Sequence, residues 1–176
     1  MGEVPAIIMA SLLFLMASDG KNLELASQIS VLAEGEGHHV SFVSLCDQDF
    51  PLFTPLKESQ TPSVEGLHRL IERMEKADAW WVFAPEYNGS MPPVLNNTIA
   101  WLSREGDDFR RLFRYKRVAL ASHSGGGGHH CIMAMREQFS FIGCNVLGRN
   151  IVVNKSRPYN PETAKDMLSA LTEGLE

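Results

Sequence analysis

The sequence predicts a doubly wound α/β sandwich, three layers built around a five-stranded parallel sheet. Three observations carry this. Short apolar runs alternate with longer segments of helical spacing along the whole chain. The runs are nearly continuous, as strands covered on both faces require. Polar and glycine-rich segments follow the first, third and fourth runs, which places them together on the rim where such sheets bind ligands.

Each element follows from its residues. The stretch 6–17, "AIIMASLLFLMA", is apolar except for Ser11. It is too short to cross a bilayer. Glu3 is the one charge ahead of it, so the basic flank of a signal peptide is missing. Residues 1–11 read as an apolar leader, and "LLFLMAS" (12–18) reads as the first strand. "SDGKN" punctuates it. Over 22–33, Leu25, Ala26, Ile29, Leu32 and Ala33 recur at helical spacing, and the glycines of "EGEGHH" close that helix. "VSFVSL" (40–45) is the second strand. "DQDFPLFTPLKESQTP" (47–62) is a proline-punctuated loop. A helix over 63–76 turns Val64, Leu67, Leu70, Ile71 and Met74 inward. "AWWVFA" (79–84) is the third strand, and the next helix carries Val94, Leu95, Thr98, Ile99, Trp101 and Leu102. "RVALAS" (117–122) is the fourth strand, followed by a helix with Ile132, Met135, Phe139 and Ile142 on one face. "NVLGRNIVV" (145–153) is the fifth. Asn160 and Pro161 supply the cap and first position of a last helix.

The chain of 176 residues suits one domain, 1–176, with no internal repeat. A net charge of −5 opposes non-specific nucleic-acid binding, which needs a basic surface. The three cysteines, Cys46, Cys131 and Cys144, are odd in number and far apart. That argues against a disulfide framework and for a reducing, cytoplasmic setting. No stretch calls for a membrane partner. The basic run Arg110, Arg111, Arg114, Lys116 and Arg117 stands beside Asp107 and Asp108 and reads as a solvated connection.

The loops carry the chemistry. In "SDGKN", Ser18 and Asn22 offer side-chain donors and Lys21 a positive charge at a helix start, a place that favours an anion. A plain capping turn uses the same residues. "SHSGGGGHH" brings Ser124, Gly125 and Gly126 to the rim, where four glycines suit backbone passing close to something flat. His123, His129 and His130 have no acidic or Cys partner at ligand spacing, so no metal is expected. Ser124 is not in a nucleophile elbow. The third segment, "APEYNGSMPP", puts Pro85, Glu86, Tyr87, Asn88 and Gly89 at the exit of a buried strand, far more special chemistry than a turn needs.

Here the chain resembles a known family. "PEYNGSMPPVLNNTIAWLS" is similar to the PEYN-containing signature of the NADPH-dependent FMN reductases, which are flavodoxin-like. "SDGKN", "DQDFPLFTP" and the glycine segment lie where that family has its phosphate, acidic and second glycine-rich loops. The resemblance implies a bound FMN. Ser18, Lys21 and Asn22 would hold its phosphate, Pro85, Glu86, Tyr87, Asn88 and Gly89 its ring system, and Ser124, Gly125 and Gly126 would line the opposite side. It implies an oxidoreductase that passes hydride from NADPH or NADH through FMN to a flavin, quinone or similar small acceptor. Flavin carries that chemistry, so no catalytic acid or base is expected. A homodimer or homotetramer is implied as well. Two other readings stand beside this one: a flavodoxin-type electron carrier and a flavin-free interaction module.

Overall fold

The computed structural model describes residues 9–175. Residues 1–8 of the expected leader lie outside the described residues, and Ser11 already opens the first strand. The elements in order are β1 (Ser11–Met16), α1 (Lys21–Gly35), β2 (His39–Ser44), α2 (Pro55–Gln60), α3 (Leu67–Lys76), β3 (Ala79–Phe83) and α4 (Pro93–Leu102). They continue with β4 (Arg117–His123), α5 (His129–Phe141), β5 (Asn145–Val146), β6 (Ile151–Val153) and α6 (Pro161–Thr172).

All strand pairs are parallel, in the order β2-β1-β3-β4, with β5 and β6 both against β4. The order reverses between β1 and β3. Successive side chains of a strand point to opposite faces, and here both faces are covered. Leu13, Leu15, Trp80, Val82 and Leu120 meet α3, α4 and α5. Leu12, Phe14, Met16, Trp81 and Phe83 meet α1 and α6. This is why the strands read as unbroken apolar runs. On the second face Phe14 stands 5.4, 5.8 and 5.1 Å from Phe42, Trp81 and Phe83. On the first, the buried Trp80 indole donates to the Met74 carbonyl at 3.0 Å.

Three local expectations are revised. The fifth strand is two short pieces: β5 pairs with Arg117 and Val118, and β6 with Ala121–His123. Between them the chain leaves the ladder after Leu147, whose amide still donates to the Val118 carbonyl at 2.9 Å, and Arg136 of α5 donates to the carbonyls of Leu147 (2.7 Å) and Gly148 (3.2 Å). The helix expected over 63–76 starts only at Leu67, because Gly66 has φ 80°, outside helical geometry. The proline-punctuated loop contains α2, opened by Pro55 at its first turn and by Thr54, whose hydroxyl accepts from the Lys57 amide at 3.0 Å.

Candidate functional site

β1 ends at Met16, so Ser18 and Gly20 fall in the turn and Lys21 opens α1. Gly20 takes φ 70° and no side chain caps the helix. The first amides of α1 therefore face outward without a side-chain partner, and the exposed Lys21 adds charge beside them.

Asn22 has a different task from the one its sequence position suggests. It is 2% exposed. Its Oδ1 accepts from the His123 amide at 2.8 Å, and its Nδ2 donates to the His123 carbonyl at 3.0 Å and to Ser18 Oγ at 3.2 Å. Both amide hydrogens are thus engaged by protein. Asn22 splices the start of α1 to the end of β4.

The PEYN segment leaves β3 and folds into a two-residue hairpin. Tyr87 and Ser90 exchange backbone hydrogen bonds of 2.9 and 3.0 Å. Asn88 (φ 51°) and Gly89 (φ 75°) hold the positive φ that such a turn requires. Their amides have no partner among the described residues. Tyr87 is half exposed. Pro92 precedes α4 and Pro93 is its first residue, where a missing N–H costs nothing.

Glu86 points elsewhere. Its Oε2 accepts from the amides of His130 (2.9 Å) and Cys131 (3.3 Å), so the carboxylate caps α5 from another loop. Its own amide donates to Ser124 Oγ at 2.7 Å, and Ser124 Oγ lies 2.9 Å from Ser122 Oγ. Ser124 is buried and ties the second loop to the third rather than lining an open surface. Burial pushes the Cys131 thiol up to about 12, with the Glu86 charge adding to the effect.

Three of the four glycines divide into two kinds. Gly128 has φ 76°, and a Cβ there would meet Val152 Cγ1 at 2.9 Å. The fold itself demands glycine at that position. Gly125 and Gly126 have no positive φ, and a Cβ on either would meet nothing within 4 Å. Nothing inside the protein asks for glycine there, whereas a flat group lying against the loop would.

The signature after PEYN is structural as well. Asn97 Oδ1 accepts from the Phe53 amide at 2.8 Å, its Nδ2 donates to the Phe50 and Pro51 carbonyls, and Trp101 Nε1 donates to Pro51 at 2.6 Å. Together they pin the loop after β2 to α4. Sequence reasoning missed a further rim element, the turn at Asn154–Arg157, whose Asn154 Nδ2 reaches the Gly127 carbonyl at 3.4 Å. The Asn-Lys-Ser-Arg string directly after an apolar run was the available signal. No group of three or more metal-ligating side chains occurs among the described residues. Nor is any described helix long and apolar enough to cross a membrane.

A parallel sheet in the order 2-1-3-4-5, with three convergent loops over the reversal between β1 and β3, defines the flavodoxin-like class of α/β protein. The chain belongs to the NADPH-dependent FMN reductase family, whose sequence profile matches residues 7–157. It is 29% identical to a quinone reductase of Escherichia coli (strain K12) over 121 residues, 65% of this chain and 63% of that protein. The chain thus spans less than two thirds of that relative's length. It is 26% identical to an NADPH azoreductase of Bacillus sp. (strain OY1-2), over 84% of this chain and 76% of the relative. FerB, a flavoenzyme NAD(P)H:(acceptor) oxidoreductase from Paracoccus denitrificans, superposes with a TM-score of 0.70 over 93% of both chains. At 22% identity that likeness speaks for the fold.

Proposed function

We propose that the chain is an FMN-dependent oxidoreductase that takes hydride from NADPH or NADH and reduces a small acceptor of the flavin or quinone class. The observation that carries this is the pair Gly125 and Gly126, glycines with no conformational or packing reason, on the loop after β4, which Ser124 ties to the loop after β3 that holds the unpartnered amides of Asn88 and Gly89. That arrangement fits a flat ring with acceptors along one edge. The outward amides of α1 suit its phosphate.

In this reading the backbone around Ser18 and Lys21 binds the phosphate, with Asn22 holding that turn in place. Pro85 stiffens the exit from β3, the amides of Asn88 and Gly89 hydrogen-bond the ring edge, and Tyr87 covers part of a face. Glu86 and Ser124 hold the second and third loops at fixed separation, and Gly125 and Gly126 give the ring its flat bed. FMN, when bound, supplies the hydride and electron chemistry. The chain contributes binding, orientation and shielding, and no side chain is assigned as acid or base. We place it in the cytoplasm as a homodimer or homotetramer, with the exposed Met133 and Phe141 of α5 and Leu52 beside the rim as apolar surface for a second copy. Light scattering measures that mass.

The visible spectrum of the purified protein, before and after FMN and then NADPH, tests the function. Expected are one non-covalent FMN per chain and bleaching by the nicotinamide. With both substrates varied, initial-rate lines run parallel, because donor and acceptor use one open flavin face. A protein that binds FMN yet fails to oxidise NADPH or NADH would be a carrier instead.

A further inference from the structure

Glu86 carries more than its capping task accounts for. Along the two segments that would hold the ring, 84–92 and 124–130, it is the single acidic or basic side chain besides His129 and His130. Both segments place it. Its amide donates to Ser124 Oγ, next to Gly125, and its Oε2 accepts from the His130 and Cys131 amides, just beyond Gly128. Asn88 and Gly89, with their unpartnered amides, follow it in the same turn. The half-buried carboxylate therefore stands where the second and third loops join.

One oxygen does all of the capping. Glu86 Oε1 has no hydrogen-bond partner among the described residues, and no Lys, Arg or His among them forms an ion pair with Glu86. Its charge is felt below the loops, where it adds to the rise of the Cys131 thiol. Capping alone does not ask for that charge, since neutral Ser, Thr and Asn cap helices as readily as Asp. The start of α5 offsets the carboxylate by roughly half a unit charge. The remainder is a net negative field at the rim.

We infer that Glu86 sets the redox potential of the bound flavin, holding it lower than a neutral residue in the same place would. A hydride brings two electrons and one proton to a neutral ring, which gains one negative charge. A fixed carboxylate in the loop that holds the ring opposes that gain. The reduced flavin becomes a stronger donor to the acceptor, which removes both electrons, and the oxidised flavin takes hydride less readily. The inference rests on the oxidoreductase reading and assigns to one residue the balance between its two half-reactions.

The test equilibrates bound FMN with a two-electron reference dye in wild type, Glu86→Gln and Glu86→Asp, and times each half-reaction by rapid mixing. Glu86→Gln keeps an acceptor for the helix amides. At a fixed dye poise it should raise the ratio of reduced to oxidised FMN on the order of tenfold, which is about 30 mV for a two-electron couple. Reduction by NADPH should quicken and oxidation by a benzoquinone should slow. Glu86→Asp shortens the reach to α5 but keeps the charge, so its ratio should stay near that of wild type. An unchanged ratio in Glu86→Gln, an equal rise in Glu86→Asp, or a slowing of both half-reactions together would overturn the assignment and leave the flavin reading standing. Failure of wild type to bind FMN in the titration that loads the samples would overturn the flavin reading, and this assignment with it.

Discussion

Asn22 is buried, has its amide fully engaged, and joins residues 101 positions apart in the chain. Asn22→Asp keeps the acceptor for the His123 amide but sets a carboxylate oxygen against the His123 carbonyl. We expect a stability loss of about 1–3 kcal/mol in urea denaturation. FMN and riboflavin should weaken together, because the whole turn shifts. Selective loss of FMN would instead make Asn22 a direct phosphate donor. The glycines offer a paired contrast. Gly128→Ala should lose about 1–3 kcal/mol, from its positive φ and the contact with Val152. Gly126→Ala should leave the melting temperature nearly unchanged while FMN affinity drops on the order of tenfold. Equal stability losses would remove the argument for a ring lying on Gly126. Residue types at the site were legible in the sequence because glycine runs and the PEYN string are local. Partners were not. No spacing rule links Asn22 to His123, or Glu86 to amides 44 and 45 positions later.

Among the elements, α5 depends on a cap brought from another loop. Glu86→Ala removes the acceptor for two helix amides and should cost about 1–2 kcal/mol, with Glu86→Gln recovering part of it. Hydrogen exchange should quicken first at His130 and Cys131. If protection there is unchanged, the carboxylate does not hold the helix. Strands and helices were legible wherever both faces of the sheet are covered, since burial on two sides writes itself as a continuous apolar run. The ends were less so. Asn160–Pro161 gave the start of α6 correctly, and the Asn160 side chain does accept from the Glu162 amide at 3.0 Å. The same logic applied to Thr54–Pro55 marks the short α2, which the surrounding prolines masked. The break in the fifth strand was also written, in the Gly-Arg-Asn of 148–150, but the apolar residues on either side outweighed it.

At the scale of the whole molecule, two buried thiols set how the fold meets alkali. Burial raises both Cys131 and Cys144 from 9.0 to about 12. A raised acid keeps its proton in the folded state after the unfolded chain has released it. Their contribution is complete below pH 9 and is lost as pH climbs toward 12, by about 1.4 kcal/mol per unit for each thiol. Lys116, lowered by burial, works in the opposite sense, while Cys46 and Tyr159, both raised by burial, add to the effect of the two thiols. Denaturation midpoints should therefore fall steeply between pH 9 and 11, and the double variant Cys131→Ala/Cys144→Ala should show a flatter profile. An equally steep fall in the double variant would assign the alkaline loss to other groups. The interrupted fifth strand also bears on how copies of this chain meet. An exposed outer strand is a template on which another chain can add hydrogen bonds, end after end, into aggregates. Here that border offers only two residues, a kink clamped by Arg136, and three more, with Arg149 standing between. A foreign strand finds no uninterrupted ladder to extend along this border, unlike the opposite one, where β2 runs unbroken from His39 to Ser44.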